Sequence, residues 1–73
     1  MIQELDRIIL KTDLPEYGLE QGDIGIVVLV HQGGKGYEVE FVSLNGDTVA
    51  VVSLYNKQIR PIGSRDAHAR VMN

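Results

Sequence analysis

The segment Gln21-Gly22-Asp23-Ile24-Gly25-Ile26-Val27-Val28-Leu29-Val30-His31 restricts the possible folds more than any other part of the chain. Its Ile, Val and Leu run favours a strand, because β-branched side chains have stiff χ1 torsions that suit a pleated surface. Gly22-Asp23 ahead of it reads as a turn, since Gly tolerates positive φ and Asp can bond neighbouring backbone amides. Gly25 inside the run marks a bulge, a bend or a close backbone approach, each of which helps a small sheet to curl. With 73 residues and no Cys, the chain has room for one domain and no disulfide scaffold. Such a domain buries a modest share of its surface, so it depends on closing its sheet well or on being covered by another chain.

The rest of the chain supplies four more strands. Leu5 to Lys11 alternates imperfectly, with Ile8 and Leu10 on one face and Arg7, Ile9 and Lys11 on the other. Thr12 to Gly22 is a long loop in which Asp13-Leu14-Pro15-Glu16-Tyr17-Gly18 fits one helical turn, with Asp13 as its cap. Leu14, Tyr17 and Leu19 are its packing residues. The organising strand then runs from Asp23 to His31, and Gln32 to Gly36 is a Gly-rich hairpin loop. Tyr37, Val39 and Phe41 share the inner face of the next strand, with Glu38 and Glu40 outside. Asn45-Gly46 predicts a two-residue hairpin leading into Asp47 to Tyr55. Asn56 to Gln58 reads as a 3₁₀ turn, and Ile59 to Ile62 as an edge strand marked by Pro61. Residues 1–63 are thus expected to form an all-β, five-stranded SH3-like barrel. Residues 64–73 form a polar C-terminal tail, either a short helix capped by Ser64 or a disordered end.

Asp6-Arg7, Asp13-Leu14-Pro15, Gly22-Asp23-Ile24-Gly25, Val27-Val28, Tyr37-Glu38-Val39-Glu40-Phe41 and Arg60-Pro61 together resemble a bacterial family of small proteins catalogued as domain of unknown function 4926. The resemblance covers about Leu5 to Ile62 and implies an SH3-like fold without an activity. Gly22 to Val28 is also similar, more weakly, to the glycine-centred motif of KOW domains.

Charge and composition narrow the function. Met1 to Tyr55 carries nine acidic and three basic residues, a net −6, whereas Asn56 to Asn73 carries four basic and one acidic, a net +3. The body repels phosphate, so a KOW-like nucleic-acid module, the alternative reading, would have to use Lys57, Arg60, Arg65 and Arg70. Catalysis finds no support: His31 and His68 lack i+3 or i+4 ligand partners, and no metal or other cofactor is expected. The loop Gln32 to Gly36 leads into a strand, not into the helix that a phosphate cradle needs. Recognition of proline-rich peptides fails for want of aromatic residues, with no Trp and only three Tyr. Neither a signal segment nor an apolar run of membrane-spanning length is present, which makes a cytoplasmic protein the expectation.

The remaining signal is an excess of apolar residues over what one sheet face can bury. If Ile24, Ile26, Val28 and Val30 face inward, Val27 and Leu29 face out; if Ala50, Val52 and Leu54 face inward, Val49, Val51 and Tyr55 face out, with Val42 beside them. Either the Thr12 to Gly22 loop or the tail covers this second face, or it binds a protein, which makes homo-oligomers one outcome. The sequence therefore predicts a non-enzymatic protein-binding module, an accessory subunit or neutralising partner. Its contact residues are Val27, Leu29, Val42, Val49, Val51 and Tyr55, and Glu38 and Glu40 form an acidic rim suited to a basic partner.

Overall fold

A computed structural model describes residues 2–43 and 45–62. The tail at 64–73, with Ser64, Arg65, His68 and Arg70, lies outside the described residues. Five strands, β1 (Arg7–Leu10), β2 (Ile24–His31), β3 (Gly36–Val42), β4 (Thr48–Tyr55) and β5 (Ile59–Pro61), make one antiparallel sheet in the order β4-β3-β2-β1-β5. Two 3₁₀ turns, Pro15–Tyr17 and Asn56–Gln58, stand where the sequence places them. Among the described residues no pairing joins β4 to β5, so the sheet is open and not a closed barrel.

One side of the sheet holds the core. Ile8, Leu10, Val27, Tyr37, Val39, Phe41, Val52, Leu54 and Ile59 come from all five strands, and Leu14, Leu19 and Ile2 cap them. The long loop thus covers the inner face: the Leu14 and Leu19 backbones bond to each other in both directions, at 2.9 and 3.1 Å, and turn both side chains inward. Tyr17 points to solvent instead. Asp13 does not cap the turn; its Oδ1 accepts the Gln21 N–H at 2.8 Å and ties the two arms of the loop together.

The phase of β2 is the main departure from expectation. Gly25 faces inward, and the space a side chain would take is filled by Val39 and Phe41: a Cβ there would lie 2.5 Å from Val39 Cγ1 and 2.8 Å from Phe41 Cε1. That close approach turns Val27 inward, fully buried, and sends Ile24 and Ile26 to the outer side. Val27 is therefore a core residue and leaves the expected contact surface. Between Val27 and Leu29 the register with β3 shifts by one, leaving Val28 as an extra, exposed residue. The bulge resets the alternation, so Leu29 faces out with Glu38 and Val30 packs inward with Tyr37, both as expected. An apolar run on both faces has no period of its own to choose between the two phases.

The second hairpin also differs in detail. Gly46 N–H bonds to the Ser43 carbonyl at 2.9 Å, Ser43 N–H to the Asp47 carbonyl at 2.8 Å, and Gly46 takes φ +86°. This is a connection closed by Ser43 and Asp47 with Gly46 in the left-handed region, not a turn centred on Asn45-Gly46.

Candidate protein-binding face

β3 lies between β2 and β4, so its outward carboxylates stand in the middle of the outer face. In register, Glu40 has Ile26 on one side and Val51 on the other, and Glu38 has Leu29 and Ser53. The expected acidic rim is thus a central ridge, with Ile26 and Leu29 along one flank and, along the other, Val51 and Tyr55 with Ser53 between them. Leu29, Val42, Val49, Val51 and Tyr55 are 44% to 66% exposed; the long loop packs Leu14 and Leu19 on the core side and meets this surface only at its margin, where Gly18 and Leu19 line a hollow with Val42 and Val49. Ile9 behaves differently: it faces this side, paired with Ile24 and Arg60, and is buried.

The ridge is organised by hydrogen bonds. Glu38 Oε2 accepts from Ser53 Oγ at 2.5 Å and sits 2.7 Å from His31 Nε2, while Glu40 Oε2 accepts from Thr48 Oγ1 at 3.0 Å. Both donors stabilise the charged carboxylate, and the Ser53 and His31 bonds hold the Glu38 carboxyl below its ordinary value of 4.5. His31, Glu38 and Ser53 are not a nucleophilic triad, because Ser53 gives its proton to the carboxylate and not to the imidazole. Gly36 pairs with both His31 and Tyr55, and these three residues line a notch of about 310 Å³ together with Glu38 and Ser53.

Glu38 gives a pH dependence with a definite sign. Its folded-state value is depressed, so its contribution to stability is complete above about pH 4.5 and is lost as pH falls through the lower, folded value. Urea midpoints measured at neutral pH and at about pH 3 should show a larger acid loss for the natural chain than for Glu38→Gln. Equal losses would mean that the Ser53 and His31 bonds do not select the ionised form.

Two of the four residues of the nucleic-acid alternative fall among the described residues. Lys57 lies in the Asn56–Gln58 turn, in a hollow with Lys35 and Tyr55, and Arg60 is on β5, whereas Arg65 and Arg70 are outside the described residues. Among the described residues, no group of three His, Asp or Glu side chains is placed to hold a metal ion. None of the helical turns there is long and apolar enough to cross a membrane.

The contacts of Glu38 with His31 and Ser53, and the flanking places of Ile24 and Ile26, were missed by sequence reasoning. Ser53 is legible in the sequence, since it lies on the outward phase of β4; Ile24 and Ile26 are not, because their side is set by the contacts of Val39 and Phe41 with Gly25. Compared with known proteins, residues 4–61 match the family model described as Domain of unknown function (DUF4926). No curated protein and no solved structure matches the chain.

Proposed function

The chain belongs to the DUF4926 family, whose description assigns no activity, and from its surface we propose a non-enzymatic protein-binding module. The partner docks on the outer face of β2, β3 and β4 and presents basic groups to Glu38 and Glu40, with apolar side chains on either flank. One observation carries this reading. The loop that was free to cover either side of the sheet packs on the core side and leaves Leu29, Val42, Val49, Val51 and Tyr55 open around two carboxylates. An exposed apolar patch around charged groups is how a docking site differs from ordinary surface. The strand order, the long loop after β1 and the 3₁₀ turn before β5 support describing the scaffold as SH3-like. As an accessory subunit or as the neutralising partner of another protein, such a module acts by covering a basic surface.

The tagged chain, recovered from its source cells, should bring down one protein in near-equal amount. Leu29→Asp and Glu40→Lys should each weaken that complex by at least about tenfold, or about 1.4 kcal/mol, while both variants stay folded. Added salt should weaken the complex through the Glu38 and Glu40 pairs. Recovery of nucleic acid without a protein, unaffected by either substitution, would replace this reading with the KOW-like one.

A further inference from the structure

The two edges of the sheet are built differently. β5 is three residues long, carries Arg60 and ends on Pro61; shortness, charge and Pro all discourage a further strand from pairing. β4 is eight residues of Thr, Val, Ala, Ser, Leu and Tyr, with neither charge nor Pro; a bulge at Val49, where the register with β3 shifts, leaves Ala50 to Tyr55 as its regular stretch. No strand pairs with its outer edge among the described residues, and Val49, Val51 and Tyr55 stand exposed along it. An edge this long and apolar is a template for strand addition.

We propose that β4 pairs antiparallel with β4 of a second copy of this chain, joining two five-stranded sheets into one about a two-fold axis beside Val52. The occupant follows from charge at the ends of the strand. Asp47 precedes β4 and Lys57 follows it by two residues. An antiparallel copy sets each Asp47 near the other chain's Lys57, whereas a parallel one stacks like charges at both ends.

Face alternation narrows the register. Residues directly opposite in a pair point to the same side, and a one-residue slip would put inner side chains outside. Val51, Ser53 and Tyr55 face out, while Ala50, Val52 and Leu54 face the core. With Val52 opposite Val52 of the copy, Val51 lies beside Ser53 and Ala50 beside Leu54; beyond the bulge at Val49, Asp47 comes near the turn that carries Lys57. A slip by two residues keeps the faces but moves Asp47 about 7 Å away from that turn.

The acidic ridges do not oppose this pairing. Glu40 would stand level with Glu38 of the copy, three strand spacings away, about 14 Å, beyond the screening length of about 8 Å at physiological ionic strength. An edge contact is small as interfaces go, so the dimer should form with a Kd on the order of micromolar. Pairing runs through the backbone edge of β4 and shares Val49, Val51 and Tyr55 with the docking face, whereas Leu29 belongs to the face alone.

Sedimentation velocity on the full chain, from micromolar to several hundred micromolar, tests the proposal. Twice the chain's mass is expected at the upper end. Val51→Lys should give a monomer throughout, since Lys on an edge blocks pairing while its neighbour Glu40 accommodates the charge within the fold. Asp47→Lys and Lys57→Asp should each raise the Kd at least tenfold, and the double exchange should restore it to within about threefold. Leu29→Asp, which strikes the face and not the edge, should leave dimerisation unchanged. A monomer at every concentration, a dimer indifferent to Val51→Lys, or an exchange that restores nothing would each overturn the proposal. A dimer that Leu29→Asp abolishes would also overturn it, since the contact would then be the face.

Discussion

Val27→Asp is expected to unfold the domain, while Leu29→Asp, two residues further along the same strand, leaves it folded. Val27 is wholly buried among the core residues and Leu29 is 44% exposed on the opposite face. An ionised carboxylate at position 27 would have no partner in an apolar core, and burying an unpaired charge costs at least several kcal/mol. For 73 residues, a typical total stability is about 4–10 kcal/mol, so that cost removes most or all of it. At position 29 the added charge meets water on one side and Glu38 on the other, a penalty of about 0.5–1 kcal/mol. Dispersion of amide resonances and far-UV circular dichroism would separate the two outcomes at once. Val27→Asp folded with Leu29→Asp unfolded would show that the strand runs in the other phase, and the face described above would be the core.

Gly25→Ala comes next in size. A methyl group there would meet Val39 Cγ1 at 2.5 Å and the Phe41 ring at 2.8 Å. Val39 has a branched side chain with stiff χ1, and both neighbours are buried among the largest core residues, so neither can swing aside. Overpacking of this kind costs typically about 1–3 kcal/mol, with an unchanged denaturant slope if the fold survives. The clash has a named origin, so it also predicts a coupling. Val39→Ala, destabilising on its own through the cavity it leaves, should be less destabilising in the Gly25→Ala background than in the natural one. Additive effects in urea titrations would mean that the strand moves to make room and that Gly25 does not set the phase of β2.

These two positions mark the boundary of what could be read in advance. β3 alternates without ambiguity, Tyr37, Val39 and Phe41 in and Glu38 and Glu40 out, because charged and apolar residues take turns along it. β4 follows β3 through its register, and Val52 and Leu54 are buried while Val51 and Tyr55 are exposed, as their phase predicts. Pro61 and Arg60 place β5 at an edge, and the Asn56–Gln58 turn lies where the pattern breaks, its Gln58 side chain accepting the Tyr55 N–H at 2.8 Å. In β2 nearly every residue is apolar, so each phase buries about as much surface as the other. The deciding contacts are Val39 and Phe41 on the bare backbone of Gly25, fourteen and sixteen residues away in sequence.

The same division holds for the candidate site. Which residues of β3 and β4 point outward was legible locally, because a period of two needs only the strand itself. That Glu38 and Glu40 are a central ridge, and not a rim, required knowing that β3 has a neighbour on both sides. Whether the outer face is open required knowing where the Thr12 to Gly22 loop goes, and its composition suits either side. Leu14 and Leu19 take it to the core because the mutual backbone bonds of those two residues turn both side chains the same way. The sequence by itself determined an all-β chain with its strands, turns and edge devices, since those rest on backbone preference and short-range alternation. Tertiary structure decided the phase of β2, the side the loop covers and the flanks of the acidic ridge, because each depends on contacts between residues that chain order keeps apart.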